Sequence, residues 1–175
     1  MNLKKSVISL CALLCSAFFV KAPASEIKIE AVSNFDLARY LGKWYEIARL
    51  PASFEKDMVK VTATYTLKAN GTVRVQNEGL KKGEHETAIG KAKFATKDKT
   101  AGYLKVSFFG PFYADYKVVA LDTASYGYAM VASSKKYLWI LCRQPVLDPA
   151  VLQSLVKSAA DAGFPVDKLY YTPQQ

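Results

Sequence analysis

Hydrophobic and polar residues alternate with a period of two from Trp44 to Arg143, and turn-forming residues interrupt the alternation at short intervals. A tight hairpin turn is expected at Asn70-Gly71, whereas longer loops are expected over Pro51–Lys60 and Lys81–Glu86. This pattern is typical of an antiparallel all-β meander, in which successive strands are neighbours. The eight predicted strands are Trp44–Leu50, Val61–Leu67, Val73–Leu80, Thr87–Thr96, Tyr103–Phe109, Tyr116–Asp122, Tyr128–Ser133 and Tyr137–Arg143.

The pattern changes to a helical one after the eighth strand. Asp148 is a favourable N-cap, Pro149 suits the first helical position, and Gly163 suits the C-terminal cap. The apolar positions between them share one helical face, which we expect to pack on the outer wall of the sheet: Val151, Leu152, Leu155, Val156 and Ala159. A short final strand is predicted within Lys168–Thr172.

The first 24 residues have the features of a secretory signal peptide. Lys4 and Lys5 precede an apolar run from Ser6 to Val20, and Ala22-Pro23-Ala24 is a small-residue cleavage signal. The predicted organisation is therefore a leader over residues 1–24 and one domain over residues 25–175, exported to the periplasm.

Cysteine usage bears on how the exported protein is held in the envelope. Cys11 and Cys15 lie in the leader, and each follows a leucine, where a lipoprotein processing site needs a small residue. A lipid anchor in the outer membrane is therefore the alternative to a free periplasmic protein. The predicted domain retains only Cys142, so no internal disulfide is expected.

The formal net charge is +9, and the predicted leader holds three of the lysines, Lys4, Lys5 and Lys21, which leaves +6. Nucleic-acid binding needs basic residues gathered into a patch or stripe, whereas these lysines are scattered singly along strands and turns. We therefore expect no nucleic-acid partner, but we do expect weak attraction to an anionic membrane surface.

One pair of residues predicts how the sheet closes. Gly42 permits a tight turn two positions before Trp44, and Arg143 ends the last strand. A guanidinium laid over an indole contributes about 0.5–2 kcal/mol. We expect this pair to plug the closed end of a small barrel, and an eight-stranded barrel has room for one small ligand.

Three segments resemble the sequence signatures of the lipocalins, and they occur in the family's order. They are Asn34-Phe35-Asp36 with Tyr40-Leu41-Gly42-Lys43-Trp44-Tyr45-Glu46, then Ala120-Leu121-Asp122, and then Trp139-Ile140-Leu141-Cys142-Arg143. The resemblance is greatest to bacterial outer-membrane members. It implies an eight-stranded antiparallel up-and-down barrel with a C-terminal flanking helix. It also implies binding of fatty acids or lysophospholipids, in a monomer or homodimer, for lipid maintenance in the cell envelope.

The resemblance and the strand alternation together predict a ligand site. In the family, positions matching Tyr65, Asn77, Phe108 and Trp139 line the cavity. Alternation adds further inward positions, and the mouth loops add two aromatic residues: Ala63, Val75, Val106, Tyr116, Val118 and Ala120, with Phe54 and Tyr113. The alternative is a barrel filled by its own side chains. The small residues Ala63 and Ala120 and the polar Asn77 favour a cavity.

The expected binding mode has an alkyl chain inside the barrel and a charged headgroup at the mouth, near Lys56, Lys60, Lys81 and Lys82. We expect no metal, cofactor or catalytic residue. His85 is the only histidine, Cys142 should face the flanking helix, and Glu46 lacks a catalytic partner. Three other functions stay open: an enzyme of this fold acting on a lipid or isoprenoid, a haem or pigment binder, and a filled barrel acting as a surface interaction module.

Overall fold

The computed structural model describes residues 29–175, so the predicted leader, with Cys11 and Cys15, lies outside the described residues. Nine strands and two α-helices follow one another in these residues. They are α1 (Leu37–Tyr40), β1 (Gly42–Arg49), β2 (Met58–Leu67), β3 (Val73–Lys81), β4 (Glu84–Phe94), β5 (Tyr103–Ser107), β6 (Ala114–Leu121), β7 (Tyr128–Ser133), β8 (Tyr137–Cys142), α2 (Pro149–Asp161) and β9 (Tyr170–Tyr171).

Strands β1 to β8 form a closed antiparallel barrel in which each strand pairs with the next and β8 pairs with β1. The up-and-down order predicted from the sequence is confirmed. Strand β1 pairs with β2 only through its first half, Gly42 to Tyr45, and its last two residues pair with β9 instead. The side-chain amide of Gln174 then donates to the carbonyl oxygens of Glu46 (2.7 Å) and Val61 (3.0 Å). The C-terminal segment therefore closes the seam between β1 and β2.

Two β-bulges change which side chains face the barrel interior. The register between β1 and β8 shifts at Ile47, so that Arg49 pairs with the inward-facing Trp139. The register between β6 and β7 shifts at Val119, and Ala120 consequently packs outside the barrel, beside α2. The prediction that Ala120 faces inward is therefore wrong, because an inserted residue reverses the alternation that follows it.

The closed end has the predicted plug. The Arg143 guanidinium lies 3.9 Å from the centroid of the Trp44 ring, which is fully buried. Gly42 has φ +92°, and a Cβ there would lie 3.4 Å from Nη1 of Arg143, so the turn requires glycine. The short helix α1, which alternation does not predict, covers the same end.

The predicted helix is confirmed as α2. The Asp148 carboxylate accepts hydrogen bonds from the amides of Ala150 and Val151, and Gly163 has φ +92°. Leu155 and Ala159 are buried in a second apolar cluster, between α2 and the outer wall of the barrel. Cys142 lies in this cluster with 5% of its surface exposed, as its strand parity predicted.

Several predicted bounds are wrong at the mouth of the barrel. The expected loop over Lys81–Glu86 is instead a tight turn at Lys82-Gly83, and both residues have positive φ. His85 consequently lies on strand β4 rather than on a loop. Strand β5 ends at Ser107, two residues before the predicted end, and β4 pairs with it only from Lys91 onward. The first half of β4 therefore has no partner on that side.

Candidate functional site

The barrel encloses a cavity of about 720 Å³ that opens between the mouth loops. Ligand pockets in proteins commonly measure about 300–1,000 Å³. Ten of the residues nominated from the sequence line this cavity: Phe54, Ala63, Tyr65, Val75, Asn77, Val106, Phe108, Tyr113, Tyr116 and Trp139. The interior is therefore not filled by the protein's own side chains.

Val118 differs from the other nominated residues. It faces inward, but it is fully buried in the core at the closed end, with Phe35, Leu104 and Trp44, and it does not line the cavity. Its inward orientation was predicted correctly, whereas its position near the closed end of the barrel, below the cavity, was not. Val118 is consequently part of the floor packing.

The floor of the cavity is built from three tyrosines. The Tyr116 hydroxyl lies 2.7 Å from the hydroxyls of both Tyr40 and Tyr65. Burial raises the pKa of Tyr65 to about 12 and the pKa values of Tyr40 and Tyr116 well above their ordinary value, so all three phenols are neutral at physiological pH. The Tyr40 ring packs 4.9 Å from Trp44 and so joins the cavity floor to the plug.

Tyr40 was not predicted to belong to the site, although Trp44 of the same sequence signature was predicted to belong to the plug beneath it. It lies on α1 rather than on a strand, so alternation carries no information about it. The only available signal was its position in the resemblance motif. The helix places its ring, 1% exposed, under the cavity.

A charged group lies in the cavity wall beneath the loop between β1 and β2. Glu46 and Glu55 line the cavity, and the guanidinium of Arg49 joins them. The three residues are 2%, 7% and 3% exposed. Trp139 donates from Nε1 to Oε2 of Glu55 over 3.0 Å. Neither Arg49 nor Glu55 was predicted from the sequence, because a bulge reorients the first and an irregular 3₁₀ turn (Ser53–Glu55) positions the second.

The mouth carries exposed aromatic and basic side chains. Phe109 and Phe112 are 82% and 78% exposed, on the segment that joins β5 to β6. Of the four lysines predicted to lie near the headgroup, Lys81 lines the cavity, while Lys56, Lys60 and Lys82 are exposed and do not line it.

The fold and cavity define a class of protein: a closed β-barrel with an internal site for one small ligand. The chain belongs to the lipocalin family. The family model for the lipocalin-like domain matches residues 35–174.

Similar proteins include the outer membrane lipoprotein Blc of Vibrio cholerae, 42% identical over 93% of this chain and 96% of that protein. Blc of Escherichia coli K12 is 42% identical over 96% of this chain and 97% of that protein. Apolipoprotein D of Mus musculus is 36% identical over 81% and 78% of the two chains. The structure of insecticyanin from the tobacco hornworm has a TM-score of 0.70, covers 86% of each chain and, at 24% identity, shows the shared fold alone.

The described residues hold no helix that is both long enough and apolar enough to cross a membrane.

Proposed function

We propose that this lipocalin binds single-chain lipids, namely fatty acids or lysophospholipids, and carries them within the bacterial cell envelope without chemical change. The observation that carries the proposal is the cavity of about 720 Å³, lined mostly by apolar and aromatic side chains. The exported location, periplasmic or at the outer membrane, is supported by the names of the Blc relatives, which are outer membrane lipoproteins.

The energy of binding comes from removing the alkyl chain from water. Each buried methylene contributes about 0.8 kcal/mol, so a long acyl chain gains on the order of 10 kcal/mol. The cost of association and of ordering the chain offsets part of that gain. We therefore expect dissociation constants of about 1 μM or somewhat lower, with little discrimination between chains that differ by one methylene.

The headgroup remains at the mouth in this proposal. Lys81 is the one basic residue in the cavity lining within the described chain, and Phe109 and Phe112 extend from the rim. Exposed aromatic side chains beside lysines suit contact with an anionic membrane surface, from which a lipid can enter the barrel. The transfer of lipid between membranes is the role that follows.

Trp139→Ala tests the cavity assignment, with a fatty acid that carries its own fluorophore as the probe. Trp139 lines the cavity, so loss of its ring should raise the dissociation constant by about tenfold, which corresponds to about 1.4 kcal/mol. Ile89→Ala is the matched control, because Ile89 is 56% exposed and is not part of the lining. Equal probe affinity in the wild type and Trp139→Ala would contradict the proposal.

A further inference from the structure

The cavity wall contains more charge than the burial of an alkyl chain requires. Glu46, Arg49 and Glu55 are all at least nine-tenths buried. Their formal charges sum to −1 when both carboxylates are ionised. Buried charges are costly unless they are paired, so the excess negative charge needs a physical explanation.

The two carboxylates are not equally compensated. Nη1 of Arg49 donates to Oε1 of Glu46 over 2.5 Å, and the Thr172 hydroxyl donates to the same oxygen over 2.5 Å. The Glu55 carboxylate, in contrast, lies 3.8 Å from Nε of Arg49, which is longer than a hydrogen bond. Arg49 donates instead to the backbone carbonyl of Glu55, over 2.5 Å.

The remaining partner of the Glu55 carboxylate is a residue of the ligand cavity. Trp139 donates to Oε2 from its indole nitrogen, and both side chains line the cavity. A carboxylate has about four acceptor sites, and one N–H with a distant guanidinium does not use them all. Glu55 therefore presents unused acceptor capacity to the ligand cavity, beside Trp139.

We propose that Glu55, beside Trp139, is a headgroup-selecting site that accepts a hydrogen bond from an O–H or N–H donor on a single-chain lipid and repels an anionic headgroup. The inference rests on the proposed function, because it needs the alkyl chain to occupy the cavity. It adds a preference that the apolar lining cannot supply: alcohols, glycerol esters and ammonium headgroups are favoured over carboxylates.

The preference depends on pH. Burial and the negative charge of Glu46 raise the pKa of Glu55 to about 7, against the opposing influence of Trp139 and Arg49. The groups that face this carboxyl are Glu46 and Arg49 of β1, Tyr65 of β2 and Trp139 of β8. The other titratable groups that line its cavity are Lys81, Glu86, Tyr113, Asp115, Tyr116 and Tyr137. Above about pH 7 the site is anionic, whereas below it a neutral Glu55 can itself donate to an anionic headgroup.

Three ligands with the same chain test the inference: dodecanoate, dodecylamine and 1-dodecanol, titrated calorimetrically at about pH 6 and about pH 8.5. Between these two conditions, dodecanoate affinity should fall about fivefold to tenfold and dodecylamine affinity should rise by a similar factor. Dodecanol affinity should change by less than about twofold, because its headgroup is uncharged and accepted at both pH values. The opposite signs exclude a general effect of pH on the barrel.

Glu55→Gln should abolish both trends, since glutamine keeps the size of the side chain and an acceptor for Trp139 but does not titrate. Glu84→Gln is the matched control. Glu84 is exposed on β4 and does not line the cavity, so its substitution should leave both trends in place. If Glu55→Gln does not fold, the wild type alone tests the inference: opposite pH trends for dodecanoate and dodecylamine support it, and their absence refutes it.

Two results would overturn the inference. Affinities that show the same pH dependence in the wild type and Glu55→Gln would refute headgroup selection at Glu55 and would leave the proposed function standing. Failure of all three dodecyl compounds to bind at either pH would refute the proposed function, and with it the inference.

Discussion

The contacts of Arg143 at the closed end allow a quantitative prediction of the stability lost in Arg143→Lys. Besides its contact with the Trp44 ring, the guanidinium donates to the backbone carbonyls of Arg39, Leu41 and Lys43, each over 2.8 Å. A lysine keeps the positive charge but replaces a planar fork of five donors with a single ammonium group. The substitution therefore isolates the geometry of the guanidinium from its charge.

The magnitude follows from the carbonyls that lose a donor. The four-residue helix α1 leaves its last carbonyls without helical partners, and Arg143 satisfies those of Arg39, Tyr40 and Leu41. An ammonium group at one position can reach about one or two of them. Losing two hydrogen bonds of about 1–1.5 kcal/mol each, with a weaker contact to Trp44, lowers the free energy of unfolding by about 3 kcal/mol.

Urea unfolding, followed by tryptophan fluorescence and circular dichroism, measures this loss. Arg39→Lys is the matched control: Arg39 also donates to two carbonyls and lies 4.1 Å from the Tyr126 ring centroid, but both of its hydrogen bonds are exposed, whereas those of Arg143 to Tyr40 and Leu41 are partly buried. It should cost less than about 1 kcal/mol. If the two variants lose equal stability, or if Arg143→Lys unfolds as the wild type does, the guanidinium is not what secures the closed end.

Two further predictions concern the buried charges and the seam. Because the pKa of Glu55 is raised from 4.5 to about 7, the folded protein holds this proton more tightly than the unfolded chain does. The resulting stabilisation, on the order of 3 kcal/mol, is present below about pH 4.5 and is lost as the pH rises to about 7. Urea unfolding at several pH values should show this slope in the wild type, and an unchanged slope in Glu55→Gln would contradict it. Deleting residues 170–175 removes Thr172 from the charged group and Gln174 from the seam, and should cost about 3–5 kcal/mol in the same assay. Deleting Gln175 alone is the control, and equal stability of the two truncated chains would show that the seam contributes nothing.

Much of the fold was predictable because strand parity depends only on local alternation. Tyr65, Asn77 and Trp139 were nominated from strand parity and family resemblance, and all three line the cavity. The pairing of Trp44 with Arg143 was also predictable, because a guanidinium and an indole attract each other through a cation–π contact, and both residues lie at the closed end of the barrel.

Three-dimensional contacts decided what alternation could not. A bulge at Ile47 turns Arg49 inward and a bulge at Val119 turns Ala120 outward, since one inserted residue reverses every later side chain until the register is restored. Neither bulge has a mark in the local sequence. Glu55 and Tyr40 lie on a 3₁₀ turn and a short helix, where a period of two has no meaning.

The amino-acid sequence by itself thus determined the class of fold, the plug and the apolar character of the cavity, because these depend on residue type and spacing. The tertiary structure alone decided the charge inside the cavity. The fold brings together four residues from β1, the loop that follows it and the C-terminal segment: Glu46, Arg49, Glu55 and Thr172. Their burial beside one another determines the pKa of Glu55.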